Sequence, residues 1–308
     1  MNKSGSESLS GLIIRTQSGF FFVLPDNDPK VITCQLRGKL KQGHRVGDIA
    51  AVGDRVVMSV MEDGTGSIEE ILDRKSAIVR LDPRPQGEYQ QVLLANPDQA
   101  VFVFACANPD PRMRMLDRFL VIAEKQGVPS IIVANKVDTI GLEAARAKFE
   151  FYPALGYPVI YTSAKENIGI ETLRETLLGK LSAFAGPSGV GKSSLMNAIQ
   201  PGLGIAVGEI SSYNDKGKHT TNFRQLIPLA GGGWVADAPG WKSLALWDTY
   251  PEEIDGYFPE LSNLVQDCQF SDCSHTHEPG CAVLLAVKNG QVRSERYDSY
   301  LRLKAGQE

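Results

Sequence analysis

Short apolar–polar alternations fill the chain from Gly11 to about Leu72. The runs GLIIRT, FFFVL, VITCQLRG, DIAAVGDRVVMSV and GSIEEIL are separated by Gly, Asp, Asn and Pro. That rhythm predicts five short strands joined by tight turns, an OB-like barrel. Beyond Leu81 the period changes. Asp98–Ala107 and Val128–Asp138 are near-continuous apolar runs that end in polar loops, and YPVIYTSAKEN is a third of that kind. Between them, Arg114–Gly127, Leu142–Leu155 and IGIETLRETLLG carry apolar positions at helical spacing. LSAFAGPSGVGKSSLMNAI reads strand, loop, helix, and GGGWVADAPG adds a strand closed by a Gly loop. Strands alternating with helices predict a parallel α/β sheet covered on both faces. From about Tyr250 helical spacing returns around a Cys/His cluster, and Arg293–Lys304 mixes both charge signs as a surface helix does. The predicted multidomain order is a polar, disordered tail at 1–10, a barrel at 11–75, an α/β domain at 76–248 and a small helical domain at 249–308.

The chemistry sits in the loops. Gly186, Pro187, Ser188, Gly189, Val190, Gly191, Lys192, Ser193 and Ser194 fit the phosphate-loop pattern G-x-x-x-x-G-K-[ST]. The glycines let backbone N–H groups curl around phosphates, and the positive end of the next helix points at them. Lys192 would bridge the β- and γ-phosphates and Ser193 would ligate Mg²⁺. Asn135, Lys136, Val137 and Asp138 form an NKVD loop after a buried strand. The Asp138 carboxylate suits the two donors of guanine's Watson–Crick edge, and adenine would leave it unpaired. Ser163, Ala164 and Lys165 match a second base-contacting loop, while Asp237 and Gly240 match the loop that meets Mg²⁺ and the γ-phosphate.

The order is unusual, because the base-reading loops precede the phosphate loop. A domain whose termini lie close together can be cut and rejoined elsewhere. The motif order is therefore that of a circularly permuted P-loop GTPase. Gly208–Arg224 is polar and Gly-punctuated, suited to a switch in which Thr220 or Thr221 closes over Mg²⁺. Trp241 stands where many GTPases keep a water-orienting Gln, so slow intrinsic hydrolysis is expected, with His219 the catalytic candidate in its place.

Cys268, Cys273, His275 and Cys281 supply three thiolates and an imidazole at C-x4-C-x-H-x5-C, a closed structural Zn²⁺ set, with His277 as the competing imidazole. Cys34 and Cys106 lie in apolar runs and read as buried, inert side chains. Lys30, Arg37, Lys39, Lys41 and Arg45 occur in a stretch without an acidic residue, a candidate RNA face. Overall charge adds nothing to that: at -4 the 308-residue chain has no global field drawing it to nucleic acid. No apolar run approaches the roughly 18 residues of a membrane span, and the polar start is no signal peptide.

The barrel, the permuted order of NKVD, GPSGVGKSS, KGKHTT and DAPG, and the Cys/His segment resemble the ribosome small-subunit-dependent GTPases (RsgA/YjeQ type) over nearly the whole chain. The resemblance implies a cytoplasmic, monomeric GTPase that turns GTP into GDP and phosphate. It also implies docking on the small (30S) subunit and its rRNA during late maturation, hydrolysis stimulated by that subunit, Mg²⁺ with the nucleotide and one structural Zn²⁺. Ala238 departs from the family's usual Ser or Thr without removing a contact. Two other readings remain: a nucleotide-gated RNA-binding module with negligible hydrolysis, and a large-subunit assembly GTPase, which the barrel and zinc ligands argue against.

Overall fold

The computed structural model describes residues 8–41, 47–84, 87–202, 225–237 and 249–307. Strands β1 (Ser8–Gln17), β2 (Phe20–Pro25), β3 (Ile32–Leu36), β4 (Arg55–Val60) and β5 (Gly66–Ile71) close into a barrel of order β1-β2-β3-β5-β4. Alternation fills it with Ile13, Val23, Ile32, Cys34, Val56, Met58 and Ile68. β1 starts inside the stretch read as a disordered tail, because Ser8, Leu9 and Ser10 pair with Ser59, Met58 and Val57 of β4. Burial pushes the Cys34 thiol up to about 11, which suits an inert core residue.

A hairpin that the hydrophobic pattern does not reveal follows, β6 (Ala77–Arg84) paired with β7 (Gly87–Ala95). Its arms carry Pro83, charges and glutamines, residues of low intrinsic strand preference. What orders it is its base, where Ile78, Leu93 and Leu94 enter the main core. Arg74 ties the barrel to this region through a bidentate contact, at 2.7 and 2.8 Å, with the fully buried Asp54.

The central sheet has the order β10-β9-β8-β11-β13-β12, with β8 (Gln99–Ala105), β9 (Ser130–Asn135), β10 (Val159–Thr162), β11 (Leu181–Ala185) and β13 (Trp234–Asp237) parallel and β12 (Ile227–Pro228) antiparallel to β13. Helices α1 (Met113–Lys125), α2 (Leu142–Phe149), α3 (Ile170–Leu177) and α4 (Lys192–Ile199) pack around it, and apolar clusters lie on both faces. α2 ends six residues before the predicted Leu155. Pro153 has no N–H to give the Phe149 carbonyl, so Tyr152 N–H takes that carbonyl at 3.2 Å and the chain tightens into a 3₁₀ turn at Pro153–Leu155.

The C-terminal region comprises a 3₁₀ helix (Pro251–Tyr257) and helices α5 (Pro259–Ser262), α6 (Ala282–Lys288) and α7 (Ser294–Lys304). α7 is not the solvent-bathed helix that its mixed charge suggests. Arg296, Ser299, Tyr300 and Leu303 are buried, and Arg296 reaches Asp117 of α1 at 2.7 Å and Glu260 of α5 at 2.6 Å. Burial works against the Arg296 charge, but the two carboxylates outweigh it and raise its pKa above that of a free guanidinium. Among the described residues, no helix is long and apolar enough to cross a membrane.

Candidate nucleotide site and metal centre

The parallel strands bring their carboxyl ends to one edge of the sheet, where nucleotide sites form in such folds. β9 delivers Asn135–Asp138, β10 delivers Ser163–Lys165, β11 feeds Gly186–Gly191 into α4, and β13 ends at Asp237. Four stretches far apart in the chain therefore share one rim.

Asn135 joins two of them directly. Its Nδ2 donates to the Val190 carbonyl at 2.8 Å, and its Oδ1 accepts from Thr162 Oγ1 at 3.0 Å, which fixes the amide's orientation. Lys136 lies over the same loop, its Nζ donating to the Gly189 carbonyl at 2.7 Å and to the Asn108 carbonyl. Asp138 is exposed, and Ser163 Oγ donates to its Oδ1 at 2.6 Å. Ser163 in turn accepts from the Glu166 N–H at 3.1 Å, so the loops after β9 and β10 orient one another. Val137 is different: its side chain is 2% exposed and belongs to the main core, leaving only its backbone to face a ligand. Lys165 is exposed, 3.5 Å from Glu166, and Ala164 packs against the core on the other face of the sheet.

The phosphate loop needs its glycines. Gly191 has φ +97°, and a Cβ there would stand 2.5 Å from Asn135 Nδ2; at Gly186 it would stand 2.2 Å from the Val103 carbonyl oxygen. Lys192 Nζ lies 2.9 Å from the carbonyls of both Gly186 and Pro187, at the mouth of the loop. Ser193 is buried at the first turn of α4, Ser188 and Gly189 are exposed, and Ser194 is half-buried. Gly186, Gly189 and Gly191 all hold positive φ, and the loop they shape runs straight into the positive end of α4, which suits a polyphosphate. His219, Thr220, Thr221, Gly240 and Trp241 lie outside the described residues.

The second cluster is metal-like. The ligand atoms of Cys268, Cys273, His275 and Cys281 all lie within 4.8 Å of one another. Cys268 Sγ and Cys281 Sγ are 3.9 Å apart, and each is 3.5 Å from His275 Nδ1. These are the edges of a tetrahedron whose vertices stand about 2.0–2.3 Å from its centre. The four residues could therefore hold a metal ion. His275 Nε2 faces Asp255 Oδ2 at 3.2 Å, a carboxylate that would set the ring's tautomer, and Tyr297 of α7 donates to the His275 carbonyl at 2.6 Å. His277 is exposed with its Nδ1 on Thr276, so of the two imidazoles His275 is the one that meets the thiols. Glu278 braces the loop, accepting from the N–H groups of Ser274, Thr276 and His277. Hydrogen bonding led by the Ser274 hydroxyl holds its carboxyl below the usual range.

The barrel's basic stretch is less positive than its sequence. Parallel pairing of β3 with β5 brings Glu69 against Arg37, and the two form an ion pair. Lys30 and Lys39 are exposed, Lys41 closes the 3₁₀ turn Gly38–Lys41, and Arg45 lies outside the described residues. An aromatic–cation pair that the sequence did not flag stands nearby, with the Arg15 guanidinium 3.6 Å from the Phe22 ring centroid.

Comparison with known proteins follows the same division. A family described as RsgA GTPase matches residues 71–247, and one described as RsgA N-terminal domain matches residues 10–68. The chain is 42% identical over 300 residues to a small ribosomal subunit biogenesis GTPase RsgA of Gemmatimonas aurantiaca, covering 96% of this chain and 97% of that one. Among solved structures it is similar to YjeQ from Thermotoga maritima, with TM-score 0.79, 36% identity and coverage of 98% and 99%. It is also similar to YloQ, a circularly permuted GTPase, with TM-score 0.74, 30% identity and coverage of 100% and 97%.

Proposed function

The chain belongs to the RsgA family of circularly permuted GTPases, and from that premise we propose that it hydrolyses GTP to GDP and phosphate on the small ribosomal subunit, assisting the late maturation of that particle. The observation that carries this reading is the 2.8 Å hydrogen bond from Asn135 to the Val190 carbonyl, which couples a guanine-reading loop to a phosphate loop lying downstream in the chain. In this reading Asp138 accepts from guanine N1–H and the exocyclic amine, and Lys136 covers the ring. Lys192 leaves the loop carbonyls for the β- and γ-phosphates. Ser193 and Thr221 ligate Mg²⁺, Asp237 holds it through water, and Gly240 meets the γ-phosphate. His219 orients the attacking water, since Trp241 cannot.

The metal is proposed to be Zn²⁺, held by Cys268, Cys273, His275 and Cys281; with no vacant coordination position it supplies structure, not chemistry. Rim residues of the barrel, Lys30 and Lys39 among them, would meet rRNA phosphates and bases. The protein would act in the cytoplasm as a monomer.

Steady-state GTP hydrolysis with and without purified small subunits tests the function. Slow basal turnover should rise manyfold with small subunits and not with large ones, and His219→Ala should lose the stimulated rate while still binding GTP. Tight GTP-dependent binding to active subunits without any stimulation would leave only a gated RNA binder. Base recognition has its own test. Asp138→Asn removes two charge-assisted hydrogen bonds, so GTP affinity should fall about 100-fold or more. Xanthosine triphosphate, whose O2 can accept from the new amide, should regain part of it. Unchanged GTP affinity would remove Asp138 from the site.

A further inference from the structure

Gln225 is the first described residue after Gly208–Arg224, the stretch that the sequence reads as nucleotide-sensitive. The chain does not rejoin the central sheet unaided. Gln225 forms an antiparallel bridge with Arg15 of the barrel, and the Leu226 N–H donates to the Ile14 carbonyl at 2.7 Å. Leu226 is 1% exposed and sits in the main core with Phe102, Ala183 and Ala236, and Leu12 and Ile14 pack against that same cluster.

Strand alternation makes this double duty possible: Ile13 fills the barrel, while Leu12 and Ile14 on the opposite face of β1 serve the α/β core. β12 then runs antiparallel to β13 with Ile227 opposite Val235. The same register carried back two residues sets Gln225 level with Asp237, at the nucleotide rim. Arg15 stacks on Phe22 at this point of β1, so barrel surface and rim are one strand apart.

We propose that Leu226, clamped by Ile14 of the barrel, is a positioning residue through which engagement of the barrel by RNA sets the rate of GTP hydrolysis. The barrel holds Gln225 and Leu226, the first described residues after 208–224; a partner on the barrel therefore acts on turnover and not on nucleotide affinity. This rests on the subunit-stimulated reading above.

The test uses the metal-loaded full chain. Leu226→Ala should keep GTP affinity within about threefold and lose about tenfold of the kcat at saturating small subunits, with the apparent KM for subunits unchanged. Leu226→Ile should restore it. The pair Arg15→Cys and Gln225→Cys, partners across the bridge at disulfide distance, should keep the stimulated rate when oxidised. Full stimulation in Leu226→Ala would overturn the proposal. So would loss of basal rate, stimulated rate and affinity in parallel, or a cross-link that abolishes stimulation until reduced. A wild-type protein without stimulation would instead defeat the functional reading. The clamp is then judged by hydrogen exchange at Leu226: slower with a non-hydrolysable GTP analogue than with GDP supports it, and equal rates overturn it.

Discussion

Stripping the metal from the full chain with a chelator is expected to melt the region 249–307 while the central sheet stays folded. Four side chains converge on a metal-like site in this region's loop, and its apolar cluster, which includes Ile254, Phe258, Leu261 and Val283, is much smaller than the core on the helix-covered faces of the central sheet. A structural Zn²⁺ in a comparably small module supplies on the order of 10 kcal/mol of apparent binding free energy, far more than such a cluster can spare. The central sheet has its own cores on both faces and does not depend on the ion. Elemental analysis should find one zinc per chain. Limited proteolysis after chelation should cut within 249–307 and leave a resistant α/β fragment. Cys281→Ala should behave like the chelated protein. Asp255→Ala, which only frees the His275 ring, should weaken metal retention by about 10- to 100-fold. An unchanged protease pattern after complete metal loss would show that the cluster is dispensable.

Much of the candidate site's geometry was legible in the sequence because its chemistry tolerates few substitutes. A phosphate loop needs glycine where a Cβ would strike Asn135 or Val103, and a tetrahedral thiolate set needs its cysteines. The barrel and the buried parallel strands were legible through period alone. What escaped depends on residues that meet only in three dimensions. No local pattern announces that Glu69 will face Arg37 across β3 and β5, or that polar arms such as those of β6 and β7 will pair. The short α2 had a signal in Pro153, whose missing N–H ends the helix ladder. Asp117 also had one: a lone carboxylate in the apolar run of α1, four residues before Val121, marks a face that must find a buried cation. The cation lies 179 residues downstream, on a helix whose mixed charge disguises it.

That cation carries the other large effect: Arg296→Ala is expected to cost about 3–5 kcal/mol, the usual consequence of removing one partner from a buried ion network. Arg296 is 1% exposed and serves two acids, Asp117 of α1 at 2.7 Å and Glu260 of α5 at 2.6 and 3.1 Å. Asp117 also accepts from Tyr152 at 2.8 Å and Ser299 at 2.6 Å, so α1, the turn after α2 and α7 meet at one carboxylate, and α5 joins them through the Arg296 guanidinium. Without the guanidinium, two acids remain in a site closed to water, and their repulsion adds to the lost attraction. The guanidinium also lies 4.5 Å from the Phe258 ring centroid, so truncation to Ala removes packing as well as charge. Arg296→Met separates the two losses: it keeps most of the volume, and its cost should remain within about 1 kcal/mol of the Ala value if charge dominates. Adding Asp117→Asn should then recover part of the loss, because the amide oxygen still accepts from Tyr152, the amide NH2 donates to Ser299 Oγ instead of accepting from it, and the group carries no charge. The two changes should therefore be non-additive by about 1–3 kcal/mol. In thermal unfolding the single change should lower the transition by about 10 °C, with proteolysis appearing first in 249–307, where docking on α1 is lost. Additive effects of Arg296→Met and Asp117→Asn would mean that the charges do not hold the two regions together and that the apolar contacts of Val121, Phe258 and Tyr300 suffice.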